Sequence, residues 1–131
     1  MAGESQGVQT MKIGEVAERT ALSIRSLRHY DELGLVSPSA HSPGGFRLYT
    51  EADVERLLLI RRMKPLGFSL DRMKDFCRAL DARVGGEDGA DDDNAAATIT
   101  EIGAEAAERL ERLRKHLAYA EEFVEIIDRL A

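Results

Sequence analysis

The chain has 131 residues, is 44% apolar and 32% charged, and carries a formal net charge of −6. That length holds one domain, or one small domain with an extension, and no run approaches the roughly 18 apolar residues of a membrane helix. A single cysteine, Cys77, excludes an internal disulfide framework and any zinc site built from several cysteines. With no signal-peptide pattern at the start, the expectation is a cytoplasmic protein with no membrane partner.

Taken whole, the acidic balance argues against a nucleic-acid partner, but it is unevenly spread. Residues 1–80 hold 12 Lys+Arg against 10 Asp+Glu, a net +2, and residues 81–131 hold 6 against 14, a net −8. Such asymmetry marks different partners for different segments.

In chain order, residues 1–10 are polar and read as a disordered tail. From Ile13 the pattern turns helical, with Ile13, Val16, Ala17 and Thr20 on one side. Ser23 is a fitting N-cap for a second helix carrying Ile24 and Leu27, and Gly34 is a natural residue to end it. Two short helices joined by Thr20-Ala21-Leu22 make a helix-turn-helix, although that connection has no glycine.

Leu35–Val36 and Phe46–Tyr49 flank a Pro/Gly/Ser-rich loop and predict a hairpin. Alternation puts Phe46 and Leu48 on one face, and Arg47 and Tyr49 on the other, read as an exposed pair suited to phosphate or as a solvated arginine beside a packed tyrosine. Thr50 caps a third helix, with Asp53 in the place of a capping-box acid. Pro65 and Gly67 stop it near Met63, and Ser69 caps a fourth helix with Leu70, Met73, Phe76, Cys77 and Leu80 inward.

Residues 81–97 hold glycines and an acidic run, and predict a flexible acidic linker. A long helix follows over residues 98–131. Its apolar positions keep a 4-3 spacing through Ala106, Leu110, Leu113, Leu117, Ala120, Val124, Ile127 and Ala131, a heptad seam. Either a second copy covers that seam or the helix folds back on its own third and fourth helices. Burial of the seam at about 1.5–3 kcal/mol per large side chain is enough to sustain a homodimer, which is the expectation.

The order helix-turn-helix, hairpin, helix pair and terminal coiled coil resembles the MerR family of transcriptional regulators. Residues 13–17 resemble the family's opening helix. Leu27-Arg28-His29-Tyr30-Asp31-Glu32-Leu33-Gly34-Leu35-Val36-Ser37-Pro38 resembles its signature, and Gly45-Phe46-Arg47-Leu48-Tyr49 its wing motif. The likeness covers about residues 11–80; the coiled coil agrees in type only.

The resemblance implies a mainly α fold: a winged helix-turn-helix DNA-binding domain over 11–80 with a small β-hairpin wing, then a long antiparallel coiled-coil dimerisation helix. It implies a homodimer on double-stranded promoter DNA. Such a dimer binds an inverted repeat and distorts it, and so acts on RNA polymerase indirectly through the DNA. Onto this chain it carries Arg25, Arg28 and His29 at the groove-facing side of the second helix, Arg47 and Tyr49 at the wing, and Lys64 at the loop after the third helix. Tyr30 is either a phosphate donor or a packing aromatic, and His29 either meets the groove or is partly packed. Arg28 either meets DNA or pairs internally with Asp31 or Glu32, and Arg61 either meets DNA or only solubilises its helix.

Residues 81–131 lack the cysteines with which metal-sensing members bind thiophilic ions, so no metal and no cofactor are expected. Cys77 reads as a buried core thiol. The effector is left open between a small molecule, a protein and none. The alternative function is an architectural DNA binder or an adaptor that uses its acidic coiled coil. With no nucleophile–base pair and no phosphate loop, an enzyme is not expected.

Overall fold

The computed structural model describes residues 9–84 and 90–131. The chain divides into two compact units, Met1–Pro65 and Leu66–Ala131.

The first unit opens with strand β1 (Thr10–Met11), helix α1 (Ile13–Thr20) and helix α2 (Ile24–Glu32). Strands β2 (Ala40–His41) and β3 (Arg47–Thr50) follow, and then helix α3 (Glu51–Met63). The antiparallel sheet has the order β1-β3-β2, with Met11 opposite Tyr49, and Ala40 opposite Leu48. Val16, Leu27, Tyr49, Val54, Leu57 and Ile60 are its most deeply buried apolar side chains.

The turn between α1 and α2 manages without glycine. Ala21 takes the left-handed conformation, φ 59°. Thr20, fully buried, holds it there: its hydroxyl donates to the Val16 carbonyl at 2.8 Å and accepts from the Leu22 N–H at 3.3 Å. Ser23 then caps α2 by accepting from the Ser26 N–H at 3.0 Å. Gly34 (φ 72°) ends the helix in a Schellman motif, with Gly34 N–H on the Asp31 carbonyl and Leu35 N–H on the Tyr30 carbonyl.

Three local expectations are corrected here. The tail predicted over 1–10 ends sooner, because Thr10 pairs with Thr50 in the sheet; residues 1–8 lie outside the described part. The strand that completes the hairpin with β3 is Ala40–His41, not Leu35–Val36. Leu35 and Val36 are buried instead, wrapped back on the end of α2 by the left-handed turn at Gly34. Tyr49 is not on an exposed face: it is 2% accessible, with helices α1 and α3 packed against β3. Alternation tells which side a residue faces, but not how deep that side lies.

Thr50 and Asp53 form a complete capping box at the start of α3. The Asp53 carboxylate also accepts from the Ser39 hydroxyl at 2.7 Å and its N–H at 3.1 Å, so the cap pins the chain entering the wing.

The chain leaves this unit through a 3-10 turn, Lys64–Leu66. In the second unit, helix α4 (Leu70–Val84) packs against helix α5 (Ala90–Leu130). Ser69 accepts from the Arg72 N–H at 3.1 Å and so caps α4. Met73, Cys77 and Ala79 of α4, and Ala95 and Ile102 of α5, are buried. The boundary expected at residue 80 falls inside α4, and the linker expected over 81–97 is largely helix; only residues 85–89 of it lie outside the described part. Ala95, Ala96 and Ala97 are strong helix formers, and Ala95 finds a packing partner in α4.

Arg72 of α4 reaches Glu101 and Glu105 of α5, the latter at 2.6 Å. Arg109 lies 4.7 Å over the Phe68 ring and donates to the carbonyls of Leu66 and Gly67 at 3.1 and 3.0 Å. The two readings of the terminal helix thus apply to different stretches of it. Up to about Arg109 it packs back on its own chain, and from Leu110 onward every residue is exposed.

Candidate nucleic-acid interface

Helix α2 buries Leu27 and Tyr30 and turns Arg25, Arg28 and His29 outward. The 3.6-residue period produces this split. With Ser26 and Glu32, the three outward residues line an open groove of about 640 Å³. Tyr30 is 4% accessible, so of its two readings packing is the one seen.

The wing is a tight hairpin. Ser42 closes its tip by donating its N–H to the Phe46 carbonyl at 2.8 Å and accepting from the Phe46 N–H through its hydroxyl at 3.0 Å. Gly45 supplies the left-handed residue there, φ 85°. Phe46, at the tip, is 71% exposed. Arg47 projects from the first position of β3 and meets Asp31 of α2 in a bidentate pair, with Nη1 and Nη2 each 2.9 Å from a carboxylate oxygen. The pairing expected as one option for Arg28 with Asp31 is taken by Arg47 instead. Strand β3 brings Arg47 across the end of α2, a contact with no signature in local spacing.

This pair shapes the local electrostatics. Burial pushes the Asp31 carboxyl up, but hydrogen bonds from Ser37 and Arg47 outweigh it and hold the group below its ordinary range. Burial, reinforced by the nearby Asp31 charge, pushes the Tyr49 phenol above its usual value. Tyr49 is therefore neutral at physiological pH.

A second cavity, of about 310 Å³, lies between the start of α1, the outer side of α2 and the wing. Arg28, Arg47 and Tyr49 line it together with Lys12 and Asp31. Lys12 was not singled out from sequence, and its only signal was a cation directly before the first helix.

Arg61 and Lys64 are also exposed. Arg61 donates through Nη1 to the Thr20 carbonyl at 2.7 Å, so it holds the end of α1 rather than simply standing in solvent. The structure thus brings Arg28, Arg47 and Tyr49 to one cavity, leaves Arg25 and His29 on the adjoining groove, and places Arg61 at the helix-turn-helix turn.

Two helices joined by a three-residue turn, followed by a hairpin wing beside the second helix, define a winged helix-turn-helix. Residues 11–80, more than half of the chain, match the family described as MerR HTH family regulatory protein, and the chain belongs to that family. It is 47% identical over 65 residues to the HTH-type transcriptional activator mta of Bacillus subtilis, covering 50% of this chain but 25% of that protein. The crystal structure of MtaN, the N-terminus of the Bacillus subtilis multidrug transporter activator, is similar over 90% of this chain and 94% of that one, with 34% identity and TM-score 0.52. HiNmlR, a MerR family regulator lacking the sensor domain and bound to promoter DNA, is similar over 87% and 92%, with 26% identity and TM-score 0.51.

Proposed function

We propose that this chain is a promoter-binding transcriptional regulator that works as a homodimer. The observation that carries the reading is the exposed edge of Arg25, Arg28 and His29 on α2, set beside the wing residue Arg47. A helix with that edge fits the major groove, where arginine recognises guanine, and a wing arginine suits the flanking phosphates. Lys64 adds a phosphate contact in the turn after α3. Tyr30 and Tyr49 support the interface by packing, and Arg61 by holding the turn.

The second copy supplies the other half-site. Leu110, Leu113, Leu117, Val124 and Ile127 are all exposed along α5, with Ala106 and Ala120 completing the seam. A row of large apolar side chains in water is an interface awaiting its partner. Two recognition helices on one twofold axis read an inverted repeat, and phosphate contacts along the site provide the energy to distort it. RNA polymerase is then affected through the altered DNA rather than by contact.

Among the described residues no helix is long and apolar enough to cross a membrane. The matched relatives are transcription regulators, which are not enzymes.

Selection of duplexes from a random library, followed by footprinting, tests the reading. The expected result is an enriched inverted repeat, protected on both halves. Enrichment of a single asymmetric site, or of none, would count against a symmetric dimer.

A further inference from the structure

The cavity between α1, α2 and the wing collects three cations, Lys12, Arg28 and Arg47, around one carboxylate, Asp31. We infer that this cavity grips one phosphate of the DNA backbone, with Lys12 as a further contact and Asp31 as the residue that positions Arg47. The inference deepens the DNA-binding reading and rests on it.

The lining charge is the first argument. Three cations against one carboxylate leave an excess of positive charge in one concave place, which suits a single anion. The second is the form of the Arg47–Asp31 contact. Asp31 takes one N–H from each terminal nitrogen of Arg47, at 2.9 Å on both sides. A guanidinium has five N–H donors in a rigid fork, so Nε–H and two outer N–H groups stay available. The carboxylate thus orders a long, half-exposed side chain before DNA arrives, without using up its donors. Preorganisation of this kind lowers the entropy lost on binding. The third argument is the apolar wall. Phe46 and Pro38 line the same cavity, and Phe46 is largely exposed. An anion flanked by apolar surface matches a phosphate joined to a deoxyribose better than free inorganic phosphate.

Lys12 stands at the N-cap of α1 and is exposed. Its substitution therefore leaves the core untouched, whereas Asp31 also accepts a hydrogen bond from Ser37. The two variants consequently test the proposal by independent routes.

The test uses the full chain and a duplex selected by the wild-type protein, with affinity measured by fluorescence anisotropy across a salt series. K12Q is expected to weaken binding about three- to tenfold and to make the log–log salt slope shallower by about one per subunit. D31N is expected to weaken binding by a similar factor, although it removes a negative charge. In an R47A background, D31N is expected no longer to weaken binding, because Asp31 acts through Arg47. Excess inorganic phosphate at constant ionic strength is expected to leave the complex intact.

Unchanged affinity and slope in K12Q would overturn the lysine contact. Tighter binding in D31N would mean that Asp31 is only a charge, and equal weakening in both backgrounds would mean that it only supports the fold. Displacement by inorganic phosphate would make the cavity a free-anion site. A wild-type chain that selects no duplex overturns the DNA-binding reading itself, a result separate from all of these.

Discussion

Arg61 and Thr20 tie the third helix to the helix-turn-helix turn: the guanidinium Nη1 of Arg61 sits 2.7 Å from the Thr20 carbonyl oxygen. A cation at the end of α1 satisfies one of the helix's last carbonyls and opposes the negative end of its dipole. Arg61→Ala is expected to destabilise the chain by about 1 kcal/mol, a charged hydrogen bond reduced by partial exposure. Urea unfolding measures it. A stability unchanged from wild type would leave Arg61 as a solvent-facing residue.

Ala21 is the complement to that tie. An L-residue in the left-handed region carries a steric cost of about 1–2 kcal/mol, part of which glycine returns as lost chain entropy. Ala21→Gly is expected to raise stability by a few tenths of a kcal/mol to about 1 kcal/mol. A lower melting temperature would show that Thr20 and Arg61 already remove the strain.

Acid should loosen the second unit. Hydrogen bonds from Arg72 hold the Glu105 carboxyl below its ordinary range, and Arg19 does the same for Glu51 in the first unit. A folded-state pKa below the unfolded one gives stability that is complete above the unfolded value and lost as pH falls through the folded one. The melting temperature should therefore be level from neutral pH to about 5 and drop below it. Glu105→Gln should lower the neutral-pH value and flatten the acid-side drop, as followed by circular dichroism. An identical pH profile would remove the Arg72–Glu105 pair from the account.

The seam predicts its own failure. Leu117 is 57% exposed and lies in the middle of the free half of α5. Leu117→Glu should convert a dimer into a monomer in analytical ultracentrifugation, with little change in the melting of α4 against α5 beyond what dimer loss brings. A dimer that survives this change would place the interface elsewhere.

Much of this fold was legible because its signals are local. Ser23, Thr50 and Ser69 cap helices by reaching three residues forward, and Gly34 ends one by its left-handed backbone. The misses are non-local or depend on depth. A strand as short as Thr10–Met11 has no period to read. Leu35 and Val36 look like a strand, yet they are buried by a turn that wraps them onto Tyr30. The glycine and aspartate content of 81–97 suggested a linker, while the helix preference of Ala95–Ala97 and the packing of Ala95 prevailed. Within the candidate site, the outward cations of α2 followed from periodicity. The Arg47–Asp31 pair did not, because sixteen residues and a hairpin separate its members.

In the proposed function, two chains grip one duplex through its phosphates. The direct measurement is a titration of the selected inverted-repeat duplex, with stoichiometry from sedimentation and affinity from anisotropy over a range of salt. Two chains per duplex are predicted, with a log–log salt slope approaching about −9 if some ten phosphates are engaged. One chain per duplex, or an affinity indifferent to salt, would contradict it.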